Sequence, residues 1–162
     1  MVTDHSVFQI NSLNPDQTQK IGASIGELAQ AGDLILLVGD LGAGKTCLTQ
    51  GIGWGTGFEG YTTSPSFVLV REYQGKIPLY HIDLYRLDNI EEIAELGIDD
   101  YLCGEGICVI EWADKALDYF PTDHLFIRLD YLGNNERQLS FKASGNRYAE
   151  LMEQLKQKWN LP

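Results

Sequence analysis

A chain of 162 residues that is 44% hydrophobic and 22% charged reads as one globular domain, able to bury a core without disulfide or metal staples. Its formal charge of −11, with 12 basic residues scattered among 23 acidic ones, argues against a protein that grips a nucleic-acid backbone by itself. The start carries no secretory pattern, and no apolar run approaches the ~18–20 residues of a membrane span. The three cysteines lack metal-ligand spacing, so a cytoplasmic setting is expected.

Val7 to Ile10 suits a short first strand. Asn14-Pro15-Asp16 is a helix start, with Asn14 as N-cap and Pro15 at the first helical position. Ile21, Ile25, Leu28 and Ala29 then recur at helical spacing, and Ala31-Gly32-Asp33 turns the chain. Leu34 to Val38 is a continuous apolar run, the pattern of a strand buried on both faces. A Gly-rich turn leads to a helix from about Lys45 that ends between Gly53 and Gly57. Phe67–Tyr73 and Pro78–Tyr85 predict an antiparallel hairpin. One helix is expected from Asp88 to Leu102, capped by Asp88 or Asn89. Ile107 to Ile110 is a second fully apolar strand. Strands at Leu125–Leu129 and Gln138–Phe141 follow, and a helix from Asn146 to Trp159 closes the chain. Two buried strands separated by helices, plus a hairpin, predict a three-layer α/β domain with a mixed central sheet.

Gly39-Asp40-Leu41-Gly42-Ala43-Gly44-Lys45-Thr46 fits G-x-x-x-x-G-K-[ST] in full, between a buried strand and a helix. The glycines permit close backbone approach. The loop amides and the helix N-terminus can face a β-phosphate. Lys45 supplies charge to the β- and γ-phosphates, and the Thr46 hydroxyl suits Mg²⁺. The expected ligand is Mg-ATP.

Such a loop needs a carboxylate at the end of a buried strand. Two residues qualify. Glu111 ends Ile107–Ile110. Asp83 shares a strand face with His81 and Tyr85, which is either a site edge or a solvated hairpin face. Trp112, next to Glu111, suits either shielding of a site or core packing. Thr62-Thr63-Ser64-Pro65-Ser66 suits a loop that senses the γ-phosphate, or an ordinary turn. No Asn-Lys-x-Asp guanine motif is present, so adenine is favoured; Asp130-Tyr-Leu-Gly133 is read as a turn. A small-molecule kinase is the rival class, but the arginines are dispersed and little chain is left for a lid.

Gly39–Thr46, Ser64-Pro-Ser-Phe67, His81-Ile-Asp-Leu-Tyr-Arg86 and Glu111-Trp112, in that order, resemble the TsaE family (formerly YjeE), P-loop ATPases of tRNA threonylcarbamoyladenosine synthesis. The resemblance runs from Thr18 to the end of the last strand. It implies an ATP-binding, slowly hydrolysing subunit that acts on TsaD and TsaB homologues, which modify adenosine-37 of tRNAs reading A-starting codons. Contact with tRNA would be indirect.

Carried over to this chain, the resemblance implies that Asp40, Leu41 and Gly42 to Cys47 surround the phosphates, with Thr46 and Glu111 at Mg²⁺. Lys45, Asp83 and Glu111 would be the catalytic set, with Asp83 near the γ-phosphate. Thr18 would lie near the adenine, and Asn134 to Arg137, Asn135 in particular, would border the base. The chain departs from the family pattern at Cys47 and Ser66, where Thr is common, and at Asp114, near a frequent Glu.

Overall fold

The computed structural model describes residues 7–63 and 69–160. In chain order the elements are β1 (Val7–Ser12), α1 (Pro15–Leu28), β2 (Leu34–Val38), α2 (Lys45–Gly55), β3 (Val70–Tyr73) and β4 (Leu79–Asp83). Then follow α3 (Ile90–Glu95), α4 (Ile98–Leu102), β5 (Ile107–Glu111), a 3-10 segment (Ala113–Tyr119), β6 (His124–Tyr131), β7 (Arg137–Ser144) and α5 (Asn146–Lys158). The strands form one sheet in the order β1-β7-β6-β2-β5-β4-β3. β2 runs parallel to β5 and β6, and β4 parallel to β5; the pairs β3–β4, β6–β7 and β1–β7 are antiparallel. The sheet is mixed, as expected.

Strand alternation splits the core into two layers. On one face Ile35, Leu37, Val109, Ile127 and Phe141 pack under Ile21 and Ile25 of α1, Leu48 and Ile52 of α2, and Leu151 and Leu155 of α5. On the other, Leu34, Leu36, Val38 and Ile110 pack against Ile93 of α3, Ile98 of α4 and Ala113 and Ala116 of the 3-10 segment. All five residues of β2 and all five of β5 are buried, which explains their unbroken apolar runs. No helix among the described residues is long and apolar enough to cross a membrane.

α1 begins as its cap predicts: the Asn14 side chain accepts from the Gln17 N–H at 2.9 Å, and Pro15 opens the helix. α1 and α2 then cross at backbone contact. A Cβ on Gly22 would lie 2.3 Å from the Leu48 carbonyl oxygen, and one on Gly51 would lie 2.1 Å from that of Gln19. This crossing clamps α2, and with it the loop at its N-terminus.

The helix expected over 88–102 is two helices, broken at Gly97, which adopts φ 71° in the left-handed region. The Asn89 side chain caps the first by accepting from the Glu92 N–H. The strand expected over 78–85 stops at Asp83, because Leu84 turns into the core and Tyr85 leaves the sheet edge exposed. Asp130 and Tyr131 finish β6, so only the following residues of that stretch turn. The 3-10 segment carries no clear sequence period, so nothing in the residue pattern marks it. The expected strand start at Phe67 and the hydroxyl-rich loop from Ser64 to Ser66 fall outside the described residues. The C-terminal ends of β2, β5 and β4 reach one edge together and bring Leu37, Glu111 and Asp83 side by side, the edge where open α/β sheets take their ligands.

Candidate functional site

The loop from Gly39 to Gly44 wraps the end of β2 and delivers α2. Gly42 (φ 81°) and Gly44 (φ 105°) hold left-handed backbone that residues with a Cβ adopt at a cost. A Cβ on Gly42 would also meet the Tyr131 hydroxyl at 2.7 Å. Ala43 turns its methyl into the core and donates its N–H to the Asp40 carbonyl at 3.0 Å. No side chain caps α2, so its first-turn amides face the cleft uncapped.

That cleft has a volume of about 440 Å³. Its floor is Leu41, Gly42 and Gly44 to Cys47, from the loop and the start of α2, and its wall is Asp83, Tyr85, Arg86, Glu111 and Trp112; Ala43 is buried beneath it. Lys45 is 96% buried in terms of its own surface, with 4% exposed. Its Nζ donates to the Gly39 carbonyl at 2.6 Å and the Asp40 carbonyl at 2.9 Å, and lies 4.2 Å from the Trp112 ring centre. Burial pushes its pKa below the ordinary lysine value, and Glu111, Asp83, Asp114 and Asp40 pull it back up.

Thr46 and Glu111 meet directly. The threonine Oγ1 donates to the Glu111 carboxylate from 3.2 Å to each oxygen. Asp83 is the register partner of Glu111 on the parallel neighbour β4, so the two acids face α2 from the same side of the sheet. Both are 2% exposed. Asp83 Oδ1 also accepts from the Tyr85 N–H at 2.8 Å, which shapes the turn out of β4. His81 is fully buried and its Nε2 contacts Glu111 Oε2, so at His81 and Asp83 this strand face is buried against β5 and is no solvated hairpin face, whereas Tyr85 is exposed.

Trp112 takes φ 60°, costly for an L-residue. That kink throws the ring over Lys45 and against Tyr85, with 4.9 Å between ring centroids. The ring also packs on the second core layer, so it both walls the site and fills space.

Arg137, expected only within the segment that borders the base, also supports the loop. Arg137 donates through Nε to the Ala43 carbonyl at 3.0 Å and through Nη2 to that of Gly42 at 3.3 Å. Its Nη1 reaches the carbonyls of Gly133, Asn134 and Glu136, and the guanidinium stacks 4.3 Å from the Tyr131 ring centre. Tyr131 in turn donates to the Leu41 carbonyl at 2.6 Å. The β6–β7 hairpin thus holds the loop by three of its carbonyls. No motif marks these residues; only the register of β7 brings them there.

Thr18 and Asn135 lie outside the cleft wall. Thr18 is buried, its hydroxyl 2.7 Å from Ser12 Oγ, and Asn135 is exposed in the hairpin turn. Asp40 is exposed, and its one backbone carbonyl accepts from both Lys45 Nζ and the Ala43 N–H at the loop's rim. Cys47 lines the cleft and points its thiol at the Pro15 carbonyl 3.5 Å away; burial pushes its pKa up, so it is a poor nucleophile.

The donor set fits a small hard cation. A hydroxyl and a carboxylate already sit in contact at the α2 end of the cleft, with a second carboxylate beside them. No cage of three or more His, Cys, Asp or Glu side chains occurs among the described residues. Mg²⁺ needs none, because it takes one or two protein oxygens and completes its shell with phosphate and water.

A family model described as threonylcarbamoyl adenosine biosynthesis protein TsaE matches residues 12–139. The chain is 40% identical over 151 residues to the tRNA threonylcarbamoyladenosine biosynthesis protein TsaE of Bacillus subtilis, covering 93% of this chain and 94% of that one. It is 42% identical over 142 residues to the Nostoc protein of the same name, covering 85% and 86% of the two chains. Among solved structures, the crystal structure of Bacillus subtilis YdiB superposes with a TM-score of 0.81 at 36% identity, over 95% of this chain and 97% of that one.

Proposed function

Because the chain belongs to the TsaE family, we propose that it is an ATP-binding, slowly hydrolysing subunit of tRNA threonylcarbamoyladenosine biosynthesis. It acts on a complex of TsaD and TsaB homologues in the cytoplasm, as one P-loop ATPase domain spanning residues 1–162. The observation that carries the reading is the contact of Thr46 with Glu111, beside Asp83, at the uncapped N-terminus of α2.

The residues divide the work as follows. The amides of Gly42 and of Gly44 to Cys47, at the α2 N-terminus, receive the phosphates, with Ala43 bracing the loop between them through the Asp40 carbonyl. Lys45, already aligned by two loop carbonyls, turns its remaining donor capacity to the β- and γ-phosphates. Thr46 and Glu111 would hold Mg²⁺, which when bound neutralises charge on the phosphate oxygens. Asp83 orients the attacking water from the adjacent strand. Trp112 and Tyr85 shield the Lys45 side of the cleft from solvent. Thr18 and the hairpin around Asn135 flank the adenine.

The net charge of −11 leaves tRNA contact to the partners. ATP binding then changes the state of the TsaB–TsaD assembly, and hydrolysis resets it. The test is association: the chain should co-elute with a TsaB–TsaD pair in the presence of ATP and Mg²⁺ and separate from it without nucleotide. Phosphoryl transfer from ATP to a small metabolite, independent of any protein partner, would sink the reading.

A further inference from the structure

We propose that His81 is a positioning residue that aims the Glu111 carboxylate at the metal position. This rests on the Mg-nucleotide reading above and deepens it.

His81 lies on the same face of β4 as Asp83, opposite Val109 and one side-chain step before Glu111 on β5. Its ring has no solvent exposure. Nε2 contacts Glu111 Oε2, whereas Nδ1 is buried with no hydrogen-bond partner among the described residues. Packing alone does not account for an imidazole here. A leucine would fill similar space without leaving a polar atom orphaned. The ring is oriented for one job, the contact with Glu111. The tautomer with hydrogen on Nε2 leaves Nδ1 as a bare lone pair, which costs less than an orphaned N–H.

Glu111 is otherwise held only loosely for its length. Thr46 sits 3.2 Å from both of its oxygens and so does not select between them. The contact from His81 falls on Oε2 alone, which distinguishes the two oxygens and restrains the carboxylate's rotation, leaving Oε1 without an imidazole contact. Tyr73 backs the imidazole, its ring 6.4 Å away, and its own hydroxyl is fixed by the Thr63 N–H at 3.1 Å. Groups that orient a metal-binding carboxylate in this way commonly cost about 10–100-fold in metal affinity when removed.

The experiment uses the full chain and reads ADP binding by calorimetry across a Mg²⁺ titration, with and without the metal. His81→Asn removes the donor at the Nε2 position, and His81→Gln restores one there. In His81→Asn, the Mg²⁺ concentration for half-maximal tightening should rise about 10-fold, with Mg-free ADP affinity unchanged. His81→Gln should recover most of that loss. In a Glu111→Gln background, His81→Asn should add nothing. The proposal is overturned if Asn and Gln shift the Mg²⁺ midpoint equally, if neither shifts it, or if both lose Mg-free binding as well, since His81 would then only hold the fold. A parent chain with no Mg-dependent ADP binding would instead overturn the nucleotide reading itself.

Discussion

Removing the Arg137 guanidinium should loosen the phosphate loop without unfolding the domain. In Arg137→Ala, the loop loses the Nε bond to Ala43 at 3.0 Å and the longer Nη2 bond to Gly42 at 3.3 Å. The first is worth roughly 1.5 kcal/mol as a charge-assisted bond, and the second, long and at an exposed site, adds little. Loss of stacking on Tyr131, at 4.3 Å, adds about 0.5 kcal/mol at such an exposed site. The sum, about 2 kcal/mol, is what nucleotide binding must then supply to order the loop, and it corresponds to roughly 30-fold weaker affinity. Arg137→Lys should recover only part of this, because one ammonium cannot span Ala43 and the hairpin carbonyls together. Calorimetry of Mg-ADP binding, beside thermal melts that report an intact fold, measures the effect. An Arg137→Ala chain that binds within about twofold of the parent would refute the view that the hairpin organises the loop.

Other perturbations separate the roles further. Lys45→Ala should weaken ATP binding by about 1.5–3 kcal/mol, while Glu111→Ala should abolish hydrolysis; normal turnover in Glu111→Ala would move the metal and water role to Asp83. Gly22→Ala forces a Cβ onto the Leu48 carbonyl and should cost about 1–3 kcal/mol, read as a lower Tm, with an unchanged melting curve counting against the close crossing. Tyr148→Phe strands the buried Leu34 N–H, which now donates to the Tyr148 hydroxyl at 2.8 Å, and should cost about 1–3 kcal/mol in urea denaturation.

Much of this molecule is legible from local chemistry. β2 and β5 are buried on both faces, so their apolar runs announced them. Asn14 and Pro15 mark the start of α1 because capping depends on the residues adjacent in sequence. The phosphate loop is local too, since its glycines, Lys45 and Thr46 are consecutive. What sequence could not supply is register. The meeting of Thr46 with Glu111 spans two elements, and the contact of His81 with Glu111 depends on β4 pairing parallel to β5 without a slip. Arg137 reaches the loop only because β7 pairs with β6 and turns its guanidinium under Ala43. The break at Gly97 escaped because apolar spacing runs smoothly through it, and only a left-handed backbone angle reveals the stop.

The identity of the partner decides whether the phosphate loop serves chemistry of its own or reports nucleotide state to an assembly. ATP hydrolysis by the purified chain, measured alone and with a TsaB–TsaD pair and tRNA, addresses that directly. Slow turnover alone that rises when the assembly is added, together with threonylcarbamoyl transfer that continues beyond a single round only when ATP is hydrolysed, is the predicted result. Turnover indifferent to the assembly, with multiple rounds of modification in the absence of this chain, would contradict it.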